Sequence, residues 1–169
     1  MPEMERVIVA RIAGPARAGW LRDCAIYLNK LGNGWLYAPL ALLIVLSGDP
    51  RRWRVLLAAV LAVGCAHVLY PLIKNGIRRV RPFEADPSLR SLAQPLDRYS
   101  FPSGHCMTFA AVLFPVSLAW PGMFAGLLAL WALIAWARLA SAHHYVSDVI
   151  AGTTLGIVVA WPICGALLD

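Results

Sequence analysis

Apolar stretches of near-membrane length alternate with short polar breaks along this chain. The runs 31–48, 55–74, 104–120, 123–140 and 145–168 are almost free of charge, and Gly, Pro or basic residues separate them. A helix needs about 20 such residues to cross a hydrocarbon core of ~30 Å. The pattern therefore predicts an all-α integral membrane protein, a bundle of about five transmembrane helices. The first run is short, so its helix is expected to begin earlier, near Ala25. Pro71 predicts a kink in the second helix. Gly48-Asp49-Pro50 and Pro121-Gly122 read as turns, the former followed by Arg51, Arg52 and Arg54.

The flanks behave differently. In residues 1–30, Met4, Ile8 and Ile12 recur every four positions among Arg6, Arg11, Arg17 and Arg22. That spacing predicts an N-terminal interfacial helix lying on the headgroups. Residues 75–103 are polar, basic and proline-bearing, the one long extramembrane connection, and long connections of this kind are often functional. Residues 31–169 then form the transmembrane core of a single membrane domain, 1–169. In the last run, Gly152 and Gly156 make a GxxxG, a device for close helix packing.

Composition supports this picture. Of 169 residues, 60% are hydrophobic and 14% charged, with a mean hydropathy of +0.66, which excludes an ordinary soluble domain. The net charge of +6 suggests anionic lipid or phosphate partners. No basic soluble module is present to bind nucleic acid. Cys24, Cys65, Cys106 and Cys164 show neither CxxC nor metal spacing. Glu3 and Glu5 open the chain without a compact apolar region behind them, so no cleavable signal peptide is expected.

Alternating direction turns the runs into a test. Lys74 and Arg81 follow the second run, and Ser103, Gly104 and His105 open the third. Arg138 ends the fourth, and His144 and Asp148 begin the fifth. All emerge on one membrane face. A phosphoryl group in transfer presents three charged equatorial oxygens. Lys74, Arg81 and Arg138 suit them, the arginines through paired N–H groups. The backbone N–H groups of Ser103 and Gly104, at a helix start, add donors without charge. One histidine is then free to attack phosphorus while the other protonates the leaving alkoxide. If the chain is helical from His144 onward, Asp148 shares its face. His143 then points elsewhere and reads as a bystander or a headgroup contact, and His67, alone in its run, as a bond to a neighbouring helix.

Lys74 to Arg81-Pro82 (K-x6-RP), Pro102-Ser103-Gly104-His105 (PSGH) and Arg138 to His144 to Asp148 (R-x5-H-x3-D) together resemble the signature of the type 2 phosphatidic acid phosphatase (PAP2) superfamily. Ala137 departs from it, standing where the pattern has serine. The resemblance implies a lipid phosphatase that forms a phosphohistidine. His144 would be the nucleophile, Asp148 its orienting carboxylate, and His105 the general acid and then base. Lys74, Arg81, Ser103, Gly104 and Arg138 would bind phosphate. It implies no metal and no cofactor, and three convergent zinc ligands are not apparent in the sequence. The substrate would be a membrane lipid phosphate of the phosphatidic acid, phosphatidylglycerophosphate or undecaprenyl diphosphate type. Arg78, Arg79, Arg90 and Arg98 lie outside the signature and suit either a second phosphate or anionic lipid.

Two other classes stay open on sequence: a phosphotransferase passing the phosphate to another lipid, and a non-catalytic phospholipid-binding or transport protein. Oligomeric state is not legible. The short 49–54 loop is basic and is expected on the cytoplasmic side. That places the protein in the bacterial cytoplasmic membrane with its active face toward the periplasm.

Overall fold

The computed structural model describes residues 3–168, and the regular elements among them are all helical. Met1, Pro2 and Asp169, the ends of the expected domain, lie outside the described residues. Helix α1 (Glu3–Ala13) buries Val9 and Ala13. The expected stripe of Met4, Ile8 and Ile12 only flanks this buried edge, Met4 being exposed and the isoleucines half-buried. Helix α2 (Gly19–Lys30) packs on α7 and is pinned there by Asn29, whose Nδ2 donates to the Ala137 carbonyl (3.2 Å) and Ser141 Oγ (2.6 Å).

The first apolar run is therefore entered by a helix beginning at Gly19, earlier than expected. A wide turn, Leu31–Trp35, breaks it before α3 (Tyr37–Leu46). Gly34 adopts φ 114°, where a Cβ is strained, and this turn sets the position of Asn33.

Helix α4 (Arg52–Ile77) runs through Pro71 and ends where Arg78 turns left-handed. Residues 78–103 are irregular apart from the single turn α5 (Pro82–Ala85). Helices α6 (Gly104–Ala119), α7 (Phe124–Ala140) and α8 (Val146–Leu168) complete the bundle. Three helical stretches, those of α4, α7 and α8, are long and apolar enough to cross a membrane. The α6 stretch and α3 are apolar but shorter, so α6 spans roughly 24 Å at 1.5 Å per residue.

Helix α6 is the axis of the molecule, most of its residues buried against α4, α7 and α8. Gly152 and Gly156 explain how close α8 lies. A Cβ on Gly152 would collide with the Ser103 carbonyl oxygen, and one on Gly156 with that of Met107. The expected bond from His67 to a neighbouring helix is not formed among the described residues: its Nδ1 meets the Val63 carbonyl of its own helix at 3.0 Å.

The two ends of the bundle separate as the alternation demands. At one end, Trp120 Nε1 donates to Asp49 (3.1 Å) and Arg54 reaches the Leu167 carbonyl (3.5 Å). The ends of α4 and α7 and the starts of α6 and α8 meet at the other.

Candidate active site

The irregular segment 78–103 folds over the polar end of the bundle, and buried cations hold it there. Arg81 is 2% exposed, and its guanidinium donates to the His143 carbonyl (2.8 Å) and to the main-chain and side-chain oxygens of Asp97 (3.0 and 2.7 Å). Lys74, in the last turn of α4, donates to Asp97 Oδ1 (2.8 Å) and the Tyr99 carbonyl (2.7 Å). One carboxylate oxygen thus bridges two candidate phosphate cations. Charges this buried are tolerated only when paired, and Asp97, from the segment that folds over them, supplies the pairing.

Arg138 closes α7 at 4% exposure and donates from Nη2 to His143 Nδ1 (2.7 Å). A guanidinium only donates, so Nδ1 accepts and the ring proton sits on Nε2. Nε2 faces the Ala93 carbonyl (2.8 Å) and Ser91 Oγ (2.7 Å). His143 is no bystander: it is fully buried and holds Arg81 by its carbonyl and Arg138 by its ring. Burial and then Arg138 push its pKa down to about 3. The Nε atoms of both arginines are buried without a partner among the described residues. Unsatisfied buried donors are costly, and two cationic ones beside a shared histidine suit an anion.

His144 carries the opposite tautomer. Its Nδ1 lies 2.7 Å from the Ser100 carbonyl, which only accepts, so Nδ1 is protonated and Nε2 keeps its lone pair. Asp148 Oδ2 is farther from Nδ1, at 3.7 Å. The direct orienting bond therefore comes from Ser100, which sequence reasoning missed because a main-chain carbonyl has no side-chain signature. The carboxylate oxygens of Asp148 accept from Arg79 Nη1 (2.6 Å) and the Tyr145 N–H (2.8 Å). Burial, then Arg138, Arg81 and Lys74, hold the His144 pKa well below the usual histidine value. At neutral pH the imidazole is uncharged.

Ser103 caps α6, its Oγ facing the Cys106 N–H at 3.5 Å. Its own N–H is already committed to the Asp148 main-chain carbonyl (3.0 Å). The expected pair of backbone donors is thereby reduced to Gly104. His105, in the first turn of α6, meets Asn33 Oδ1 through Nε2 at 2.6 Å. His105, Gly104 and Asp97 line a cavity of about 310 Å³ between α3, α4 and α6. All eight residues singled out in the sequence therefore gather at one end of the bundle, with Asp97, Ser100, His143, Asn33 and Arg79 added around them. A polar residue between two glycines in an apolar run was the one available signal for Asn33.

Comparison with known proteins identifies the family. The PAP2 superfamily profile matches residues 52–167. The chain belongs to the PAP2 superfamily. It is 35% identical over 140 residues to a decaprenylphosphoryl-5-phosphoribose phosphatase of Mycobacterium tuberculosis, covering 80% of this chain and 70% of that one. It is 29% identical over 140 residues to an undecaprenyl-diphosphatase of Sulfolobus acidocaldarius, covering 80% of this chain and 66% of that relative. The fold resembles a crystal structure of a transmembrane PAP2-type phosphatidylglycerolphosphate phosphatase from Bacillus subtilis, with TM-score 0.71, 24% identity, and coverage of 97% and 86% of the two chains. This PAP2 chain is an integral membrane protein, and its kinship is with phosphatases.

Proposed function

We propose that this PAP2 protein hydrolyses the terminal phosphate of a membrane lipid through a phosphohistidine on His144. The observation that carries the reading is the pair of buried guanidinium Nε atoms of Arg81 and Arg138, unpartnered among the described residues, set around His143 next to a neutral His144. These N–H groups, with Lys74 and the Gly104 N–H, meet the phosphoryl oxygens as charge redistributes. His144 Nε2 attacks phosphorus; the N–P bond forms as the bond to the lipid oxygen breaks. His105 gives its proton to that oxygen, then takes one from water, whose oxygen displaces the histidine and releases inorganic phosphate. The Ser100 carbonyl fixes the tautomer throughout, and Asp148 stabilises the positive charge that develops on the imidazole.

His144→Ala is expected to lower phosphate release from a lipid phosphomonoester by at least a thousandfold in detergent micelles. An acid-labile phosphoenzyme should form with labelled lipid in the parent protein and be absent from the variant. Vanadate, which mimics trigonal-bipyramidal phosphorus, should inhibit. Undiminished turnover by His144→Ala would refute the mechanism. A labelled acceptor lipid in place of free phosphate would turn the assignment toward transfer.

The site is assigned to the periplasmic face of the bacterial cytoplasmic membrane, on the charge of the opposite loop. The relatives are named for different headgroups, so kinship leaves the lipid open.

A further inference from the structure

The break between α2 and α3 reaches His105. Leu31–Trp35 leaves helical geometry at Asn33 (φ −75°, ψ 16°) and Gly34 (φ 114°), and Asn33 Oδ1 comes within 2.6 Å of His105 Nε2. Gly32 is buried against the same edge of the ring. A Cβ on it would stand 3.3 Å from His105 Cδ2 and 3.6 Å from Ile134 on α7. The turn therefore grips the Cδ2–Nε2 edge of the imidazole, by packing at one atom and a hydrogen bond at the next.

This turn is itself anchored. Four residues before Asn33, the buried Asn29 ties α2 to the Ala137 carbonyl and to Ser141 Oγ. Those positions flank Arg138 at the end of α7. The acid on α6 and a phosphate cation on α7 are held in one frame by a segment that lies outside the three-part signature.

An amide oxygen only accepts, so Nε2 carries a proton while this bond is made. His105 Nδ1 makes no hydrogen bond among the described residues. As an acid the ring needs two protons, and as a base one. With the Nε2 proton kept on Asn33 in both states, the proton exchanged with substrate is confined to Nδ1. The bond also strengthens when the ring is charged, since charge-assisted hydrogen bonds exceed neutral ones. Asn33 thereby favours first the protonated ring that meets the leaving oxygen, then the Nδ1 lone pair that meets water.

We infer that Asn33 is a positioning residue: it holds His105 through Nε2 so that Nδ1 delivers the proton to the leaving oxygen and later takes one from water. In the first step the Nδ1–H bond breaks as the lipid oxygen gains that proton and parts from phosphorus. In the second, Nδ1 takes a water proton as the water oxygen bonds phosphorus and the N–P bond to His144 breaks. The inference rests on the phosphatase reading.

Leaving-group chemistry separates the two. An alkoxide needs the proton in order to leave, whereas a nitrophenolate does not, and kcat/KM reports only the steps through phosphoenzyme formation. Purified protein in detergent micelles is assayed with dodecyl phosphate and with a nitrophenyl phosphate bearing an alkyl tail. Asn33 is exposed, so Asn33→Ala leaves the core intact. It should lose about thirtyfold in kcat/KM on the alkyl ester, the worth of a hydrogen bond to a charged group, and less than about threefold on the aryl ester. Asn33→Asp keeps an acceptor oxygen at the same reach and should return the alkyl ester to within about fivefold of the parent protein. Equal losses on the two esters in Asn33→Ala, or no loss on the alkyl ester, overturn the inference and leave the phosphatase reading standing. Asn33→Asp as impaired as Asn33→Ala does the same. His105→Ala should show the alkyl-selective loss more strongly; equal losses there would remove the acid role from His105 and the inference with it. Release from neither ester by the parent protein overturns the phosphatase reading itself.

Discussion

Neighbouring histidines carry opposite tautomers here, and that difference divides their work. His144 presents Nε2 as a lone pair because Ser100 takes its Nδ1 proton, whereas His143 spends its Nδ1 lone pair on Arg138. Truncating His143 leaves the Arg138 guanidinium buried with one more unsatisfied donor, a loss of roughly 1–3 kcal/mol, and frees the arginine to turn. His143→Leu should therefore cut kcat/KM about a hundredfold and weaken vanadate inhibition, while His143→Gln, whose amide oxygen still accepts, should recover most of both. Equal losses in the two variants would show that shape, not acceptance, matters. The acid stability of the protein follows from the same residue. Its folded pKa, about 3, lies below the ordinary value of 6.5, so between those values the unfolded chain binds more protons. Stability is then lost as pH falls below about 6.5, on the order of 2 kcal/mol by about pH 5. The apparent melting temperature of the detergent-solubilised protein should drop over that window, and less steeply in His143→Gln. The sequence misranked His143 for a specific reason. A helix from His144 onward would turn the two rings apart, but α8 begins at Val146, and in the turn before it adjacent side chains both reach the site.

At the scale of elements, the site depends on how closely α8 lies against the start of α6. The Ser103 N–H bonds the Asp148 main-chain carbonyl, and Gly152, one turn further along α8, leaves room for the Ser103 carbonyl. Gly152→Ala has no flexible neighbour to push aside, only backbone. Overpacking of this kind costs roughly 1–3 kcal/mol, and relief requires moving the turn that carries Gly104 and His105. Gly152→Ala should lose at least tenfold in kcat/KM together with several degrees of melting temperature. A stability loss with activity intact would dissociate the packing from the site. This contact was legible in the GxxxG spacing. The partner of that spacing was not, because sequence alone does not say which helix a small-residue stripe meets. The contribution of α1 was equally hidden: Glu5 accepts from Arg79 and from the Ser147 N–H at the start of α8, tying the N-terminal helix to the neighbours of Asp148. A contact between positions so distant in the chain leaves no local pattern.

For the whole molecule, two chemically distinct ends decide how it sits in a membrane. The end opposite the site is small: Asp49 accepts from the Arg51 N–H (2.8 Å), its side chain (3.1 and 3.0 Å) and Trp120 Nε1 (3.1 Å). These bonds, led by the Arg51 side chain, hold the Asp49 carboxyl down at about 2, so it stays ionised at any physiological pH. Arg52 and Arg54 remain beyond that pairing, and short basic loops stay on the cytoplasmic side. The active end holds more arginines, but several of its cations are paired with carboxylates from within. Lys74 and Arg81 share Asp97, and Arg79 lies between Glu5 and Asp148. The alternation of apolar runs was enough to gather the polar residues on one end, because direction must reverse at each short turn. It could not say which end faces out, since a raw count of arginines does not know which are internally paired. The orientation is tested by placing single cysteines at Arg52 in the loop and at Leu96 in the active-site segment, in a background lacking the four native cysteines. An impermeant maleimide added to intact cells should label the Leu96 position and spare the Arg52 position until the membrane is opened. Ready labelling at Arg52 with protection at Leu96 would invert the assignment and bring the phosphatase site to the cytoplasmic leaflet.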